Sequence, residues 1–206
     1  MTGGYADGKL DSGKGCVVGA GGSDGFLVGG EQDDGPVLVV AEADAQGLVI
    51  DNRTQADGSS LGELSFSGTP AAELASSGAV LTALAEAVAD ATALAAAELV
   101  GLSERAFEIT LDYIKTREQF DKPIGSFQVI QHRAVDLNVM CEVAQAGVRE
   151  ALAQMDSETD PKVRAPIASR AKARAVTAAK KITRDAIQLH GAVGYTDEFD
   201  IGLYLN

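Results

Sequence analysis

Arg117-Glu118-Gln119-Phe120-Asp121-Lys122-Pro123-Ile124, followed at once by Phe127-Gln128 and Gln131-His132, is the stretch on which the reading of this chain turns. The sequence has been free of Pro since Pro70, and Pro123 closes a compact turn between two helical segments. That turn gathers a guanidinium, several amides and two aromatic rings. Such a set suits a planar, anionic ligand: Arg holds a phosphate with a forked pair of donors, and rings and amides flank an aromatic system. Each residue alone has a plainer explanation. Arg117 is a cation at a helix end, favourable against the dipole. Phe120 and Phe127 would plug the junction of two helices, and Gln128 and Gln131 would be neutral surface residues. The ordered combination is what sets the string apart.

Upstream, Leu81, Leu84, Val88, Ala91, Leu94, Leu99, Leu102, Phe107, Leu111 and Ile114 recur at roughly three- and four-residue steps, which predicts a long amphipathic helix from about Ala79. Downstream, a second helix is expected from about Phe127 to Met155. Asp156-Ser157-Glu158-Thr159-Asp160-Pro161 breaks it, with Asp160 suited to cap the next helix and Pro161 to its first turn. A third helix then runs from about Pro161 to His190 and ends at Gly191. Three long helices with short connections predict an up-down bundle.

Before residue 75 the composition is different. Gly, Asp and Ser punctuate short apolar runs: Cys16-Val17-Val18, Phe26-Leu27-Val28, Val37 to Val40, Leu48-Val49-Ile50, and Leu61 to Phe66. Four or five such runs predict an antiparallel meander or partial β-barrel. The expected fold is therefore α+β: a β-rich segment over residues 1–75 and a helical bundle over 76–206. The last residues, Ile201-Gly202-Leu203-Tyr204-Leu205-Asn206, read as the opening of a further element, so the natural domain is expected to continue.

Hydrophobic residues make up 46% of the chain, with no Trp and much Ala and Gly, so the core is expected to rest on close helix contacts between small side chains. A formal net charge of -13 argues against nucleic acid or an anionic membrane as partner, although the stretch from Lys162 to Arg184 is basic. Cys16 and Cys141 are too few for a disulfide framework or zinc site and read as small buried residues. The N-terminus carries no signal pattern, and no apolar run is seen to reach the ~18 residues of a membrane span, so a cytoplasmic protein is expected.

A second string, Gln188-Leu189-His190-Gly191-Ala192-Val193-Gly194-Tyr195-Thr196, runs from a helix C-terminus into a glycine turn whose backbone is open to a ligand. By itself it is an ordinary glycine cap with a satisfied histidine. No βαβ context supports a Rossmann fingerprint. Together, however, the two strings resemble the acyl-CoA dehydrogenase family. The Arg turn is similar to that family's arginine–glutamine–phenylalanine turn, and the second string, about seventy residues later, is similar to its glutamine–x–x–glycine–glycine–x–glycine segment. The resemblance covers roughly residues 80–206. Leu10 to Ala20 and Ser23 to Val28 also look like strands of the family's central β-domain.

The resemblance implies FAD as cofactor and the oxidation of an acyl-CoA thioester. Arg117 would pair with the pyrophosphate, and Gln119, Phe120 and Gln128 would line the same cofactor. Gln188, His190, Gly191 and Ala192 would lie against ribose and adenine. Family likeness further implies homo- or hetero-oligomers sharing FAD across an interface, with electron-transfer flavoprotein as electron acceptor. The Ala-rich style hints at a bulky, steroid-like acyl group.

The chain departs from the pattern in places. Ala192 replaces the second glycine, and Asp121 stands where a glycine is usual. No convincing catalytic base is found: of the two places usual for the family's glutamate, one falls near Asp90-Ala91-Thr92, where Ala91 cannot take a proton and Asp90 is about 100° further round the helix, and the other lies past Asn206. No catalytic residue is therefore assigned. The chain reads as a fragment or a non-catalytic subunit of a heteromeric enzyme. The alternative is a non-enzymatic helical oligomerisation module. A di-iron bundle is set aside because paired Glu-x-x-His ligands are lacking.

Overall fold

The computed structural model describes residues 4–55, 58–196 and 198–205. They fall into two compact units, Met1–Leu84 and Ala85–Asn206. In the first, strands β1 (Gly4–Ala6), β2 (Lys9–Val18), β3 (Gly25–Gln32), β4 (Gly35–Glu42), β5 (Leu48–Thr54), β6 (Ser60–Pro70) and β7 (Ala72–Ser76) form one seven-stranded sheet in the order β5-β6-β2-β1-β3-β4-β7. Alternation drives it: Val37, Val39 and Ala41 on β4, and Leu64 and Phe66 on β6, turn inward with Leu10, Phe26 and Val28. Among the described residues β5 and β7 remain edges, so the sheet is not closed and the expected partial barrel is not confirmed. Nor is it wholly antiparallel. β2 folds back along β1, and the chain then returns on the other side of β1 as β3, which makes β1 and β3 parallel. Cys16 is another departure from expectation. It is exposed, at φ 59, within an irregular stretch of the β2–β6 pairing.

The helices follow the periodicity closely: α1 (Gly78–Thr116), α2 (Gln128–Ser157) and α3 (Pro161–His190). Asp160 caps α3 by accepting from the Lys162 amide at 2.9 Å, with Pro161 in the first turn. The shared core is largely alanine. Ala96, Ala106, Ala168, Ala175 and Ala186 are fully buried, joined by Leu137, Ile182 and Ile201. Small facing residues let helices approach closely.

Contacts between helices fix their directions. Arg164, near the start of α3, pairs with Asp90 in the first half of α1 and donates to the carbonyls of Met155 and Glu158 at the end of α2. At the opposite end, Tyr113 near the close of α1 meets His190 at the close of α3. So α1 and α3 run parallel and α2 runs antiparallel to both, an up-down arrangement. The expectation about membrane length needs correcting. Helix α1 is long and apolar enough to cross a membrane by length and composition, although Glu86 and Asp90 interrupt its apolar stretch. That stretch is only 22% buried, and Leu81, Val88 and Leu94 stand exposed along it.

Arg164 is mostly shielded, and its guanidinium satisfies orphan carbonyls at the α2 terminus. Arg164→Ala is expected to lower unfolding stability by about 2 kcal/mol, the range for hydrogen bonds to a charged donor. Denaturant unfolding checks this, and an unchanged midpoint would refute it.

Candidate functional site

The Arg turn grows directly from the last turn of α1. The Arg117 amide donates to the Tyr113 carbonyl at 2.8 Å, and Ile124 N–H donates back to the Arg117 carbonyl at 2.8 Å. Between them lies a tight hairpin of β8 (Glu118–Gln119) and β9 (Lys122–Pro123), in which Gln119 faces Lys122. Its two loop residues, Phe120 and Asp121, have φ of 56° and 61°. Left-handed backbone at both central positions marks a type I′ turn, which glycine or asparagine usually fills. A Cβ on Gly125 would lie 2.8 Å from the Ile114 carbonyl oxygen, so glycine lets the turn fold tightly onto α1. Gln131 Nε2 donates to the Gly125 carbonyl at 3.1 Å and ties the turn to α2.

This scaffold displays its functional groups outward. Phe120 is 86% exposed although its backbone is strained. Its ring meets Phe127 edge-on at 6.1 Å, and the Lys122 ammonium sits 4.2 Å above the Phe127 ring. Arg117 and Gln128 are exposed, and neither has a side-chain partner among the described residues. The Gln119 amide is turned onto the Glu118 carbonyl at 2.8 Å.

The second string closes α3. Gly191, at φ 67°, donates its N–H to the Gln188 and Ile187 carbonyls, and a 3₁₀ turn, Gly191–Tyr195, follows. Gln188, Gly191, Ala192 and Tyr195 are exposed. Ala192 is not among the left-handed residues, so its methyl is accommodated without backbone strain. Gly194 is buried, and a Cβ there would lie 3.0 Å from the Ile187 carbonyl oxygen and 3.1 Å from the Cβ of His190.

His190, expected against ribose and adenine, is instead only 3% exposed. Its Nδ1 lies 2.8 Å from the Ala186 carbonyl oxygen, and its Nε2 has no partner among the described residues. Tyr113 stacks on it at 4.2 Å with 22° between planes, while Phe199 meets both rings edge-on. The Tyr113 hydroxyl also donates to the His190 carbonyl at 3.3 Å. The Arg turn and the glycine turn, distant in sequence, are thereby joined at one end of the bundle. Tyr113 and Phe199 were not anticipated. For His190 the signal was present: Ile182, Ala186 and His190 stand four residues apart on one face.

The surface fits an adenine dinucleotide in donor chemistry. Arg117 is free to take a phosphate, and Gln188 with the backbone around Gly191 offers donors and acceptors for a ribose and base. A surface cavity of about 590 Å³ elsewhere is lined by Asp7, Asp11, Glu31, Asp33 and Asp34 and would repel a pyrophosphate. Asp90, the nearest carboxylate to the expected base position, is engaged by Arg164. Burial, with Glu104 and Glu142 nearby, pushes the Cys141 thiol up to about 11, which makes it an inert core residue.

Residues 81–206 match the family model for the acyl-CoA dehydrogenase C-terminal domain. The chain belongs to the acyl-CoA dehydrogenase family. Among its relatives is acyl-CoA dehydrogenase IpdE2 of Mycolicibacterium smegmatis, 38% identical over 109 residues, which are 53% of this chain and 32% of that protein. Another is 3-sulfinopropanoyl-CoA desulfinase of Paraburkholderia xenovorans, 42% identical over 100 residues, or 48% of this chain and 25% of that one. Of solved structures, the Tcur3481-Tcur3483 steroid acyl-CoA dehydrogenase superposes with a TM-score of 0.83 at 29% identity, covering 99% of this chain and 55% of the other. The aligned regions thus span a third or less of the two relatives' lengths.

Two predictions arise here. Asp121→Gly is expected to stabilise the protein by about 0.5–1 kcal/mol, because glycine adopts the left-handed turn at no steric cost. A higher urea midpoint with unchanged slope would show it. Burial holds the His190 imidazole below its ordinary 6.5, with the Ala186 bond as a smaller opposing effect. Its neutral form is favoured in the fold, so its contribution to stability is full above pH 6.5 and is lost as pH falls from there through the folded-state value. Thermal midpoints measured from pH 7.5 to 5.5 should fall more for the native chain than for His190→Phe; parallel curves would contradict this.

Proposed function

We propose that this chain supplies one wall of an FAD site in an acyl-CoA dehydrogenase-type flavoprotein. The observation that carries the reading is the convergence of the Arg turn and the glycine turn at one end of the bundle, coupled through Tyr113 and His190. Arg117 would hold the pyrophosphate, with Gln119, Phe120 and Gln128 along the same cofactor. Gln188, Gly191 and Ala192 would meet ribose and adenine, with His190 beneath them. When bound, the flavin supplies hydride acceptance during α,β-oxidation of an acyl-CoA thioester.

These groups stand on an open surface, so a second subunit is required to close the site. The exposed apolar residues Leu81, Val88 and Leu94 of α1 support such association. A homo- or hetero-oligomer sharing FAD, with electron-transfer flavoprotein as its oxidant in the cytoplasm, is the assembly we assign. The steroid-directed neighbour favours a bulky acyl group as substrate. Asp90 is held by Arg164, so within such an assembly the α-proton would be taken by a carboxylate other than Asp90. The family also includes a desulfinase, so the flavin-site motifs by themselves do not specify the bond that is cleaved.

Titrating the purified chain with FAD and following the visible spectrum tests this. Uptake of FAD is expected, and Arg117→Ala should weaken it about tenfold to a hundredfold, as loss of a charge-assisted hydrogen bond does. A native chain that stays colourless defeats the proposal.

A further inference from the structure

Nothing in the flavin reading requires a histidine inside the bundle, yet His190 is buried with one ring nitrogen unpartnered among the described residues. An unpaired buried nitrogen is unfavourable and calls for a reason. Its surroundings suggest one. The Tyr113 carbonyl accepts from the Arg117 amide at 2.8 Å and from the Thr116 hydroxyl at 3.2 Å, so the Arg turn is anchored on Tyr113. On the other side, Gly194 packs so closely on His190 and Ile187 that a methyl could not be added without displacement, so the glycine turn is anchored on His190. Between these anchors lie the stacked rings and the bond from the Tyr113 hydroxyl to the His190 carbonyl, with Phe199 against both ring edges.

We infer that the Tyr113–His190–Phe199 stack is a positioning unit that sets the separation between the Arg turn and the glycine turn, so that one dinucleotide reaches both. None of the three touches the ligand. The inference rests on the FAD reading above. Its physical content is a chelate effect. A ligand spanning two sites gains affinity only when the sites are held at its own length, whereas a ligand occupying one site is indifferent to that spacing. The imidazole suits the task because it is flat enough to stack on tyrosine, and its Nδ1 locks the ring to Ala186 of the preceding turn.

The test compares two ligands on the full chain, by calorimetric titration. FAD spans both turns, and adenosine carries only the part assigned to the glycine turn. Tyr113→Leu removes the ring and the hydroxyl, while Tyr113→Phe keeps the stack. Tyr113→Leu is expected to weaken FAD about tenfold while leaving adenosine within about twofold, and Tyr113→Phe should restore most FAD affinity. His190→Leu should repeat the Tyr113→Leu pattern. Equal FAD affinity in Tyr113→Leu and the native chain overturns the positioning role alone. A parallel loss of adenosine does so too, since it shows damage to the glycine turn rather than altered spacing. A native chain that binds neither ligand overturns the FAD reading and this inference together.

Discussion

Close packing of α2 against α3, over a core of small side chains that α1 shares, is the constraint on which the helical unit depends. Ala96 and Ala106 of α1 and Ala168, Ala175 and Ala186 of α3 are fully buried in one core. Each buries little apolar area, so no single residue dominates the core. What small side chains provide is short interhelical distance, and with it a close coupling between helix ends. The bundle is then clamped at both ends by unlike means. Arg164 joins the starts of α1 and α3 to the end of α2 through ionic and carbonyl contacts. Tyr113 and His190 join the ends of α1 and α3 through stacked rings. With α2 antiparallel to the other two and held by Arg164, sliding of any one helix would break a clamp.

Strain is concentrated where the chain is exposed. Phe120 and Asp121 hold left-handed backbone without glycine, and Phe120 shows its ring to solvent. Neither feature favours the fold. Both persist because the surroundings over-determine the turn: Ile124 is bonded back to Arg117, Gly125 is pressed on Ile114, and Lys122 covers Phe127. Conformations of this kind cluster at ligand-binding positions. A turn optimised for stability alone would place Asn-Gly at its centre.

Much of this was visible in the order of residues. The three helices, their boundaries within a few residues, the Asp160 cap and the Gly191 stop all followed from periodicity and cap chemistry. Both strings were found, since each is a dense local pattern. Long-range choices were hidden. Alternation in β4 and β6 predicts strands, but it does not say which edges pair, so the open mixed sheet was read as a partial barrel. The three residues of β1 were too short to register, yet they create the parallel join to β3. Phe-Asp carries no type I′ signature, because packing around the turn imposes that shape. The burial of His190 was overlooked for the opposite reason: its position inside a conspicuous string drew attention to a ligand, although its four-residue spacing from Ala186 and Ile182 marked the core face.

The electrostatics of the two turns constrain how any nucleotide could lie on them. Each turn follows a helix C-terminus, where carbonyl oxygens and the negative end of the dipole face outward. A phosphate cannot be held by backbone there, as it would be at a helix N-terminus. It needs a mobile cation, and Arg117 at the end of α1 is such a group, exposed and without a partner among the described residues. The end of α3, with Gln188 and the Gly191 turn, offers mainly acceptors, which suit the amino group of a purine and the hydroxyls of a ribose. On the proposed reading a dinucleotide would lie with its pyrophosphate toward the hairpin and its base toward the glycine turn. Helix polarity is the same at both turns, so it is the Arg117 guanidinium that sets this direction, and reversing it would put the phosphates against carbonyl oxygens with no cation to offset them.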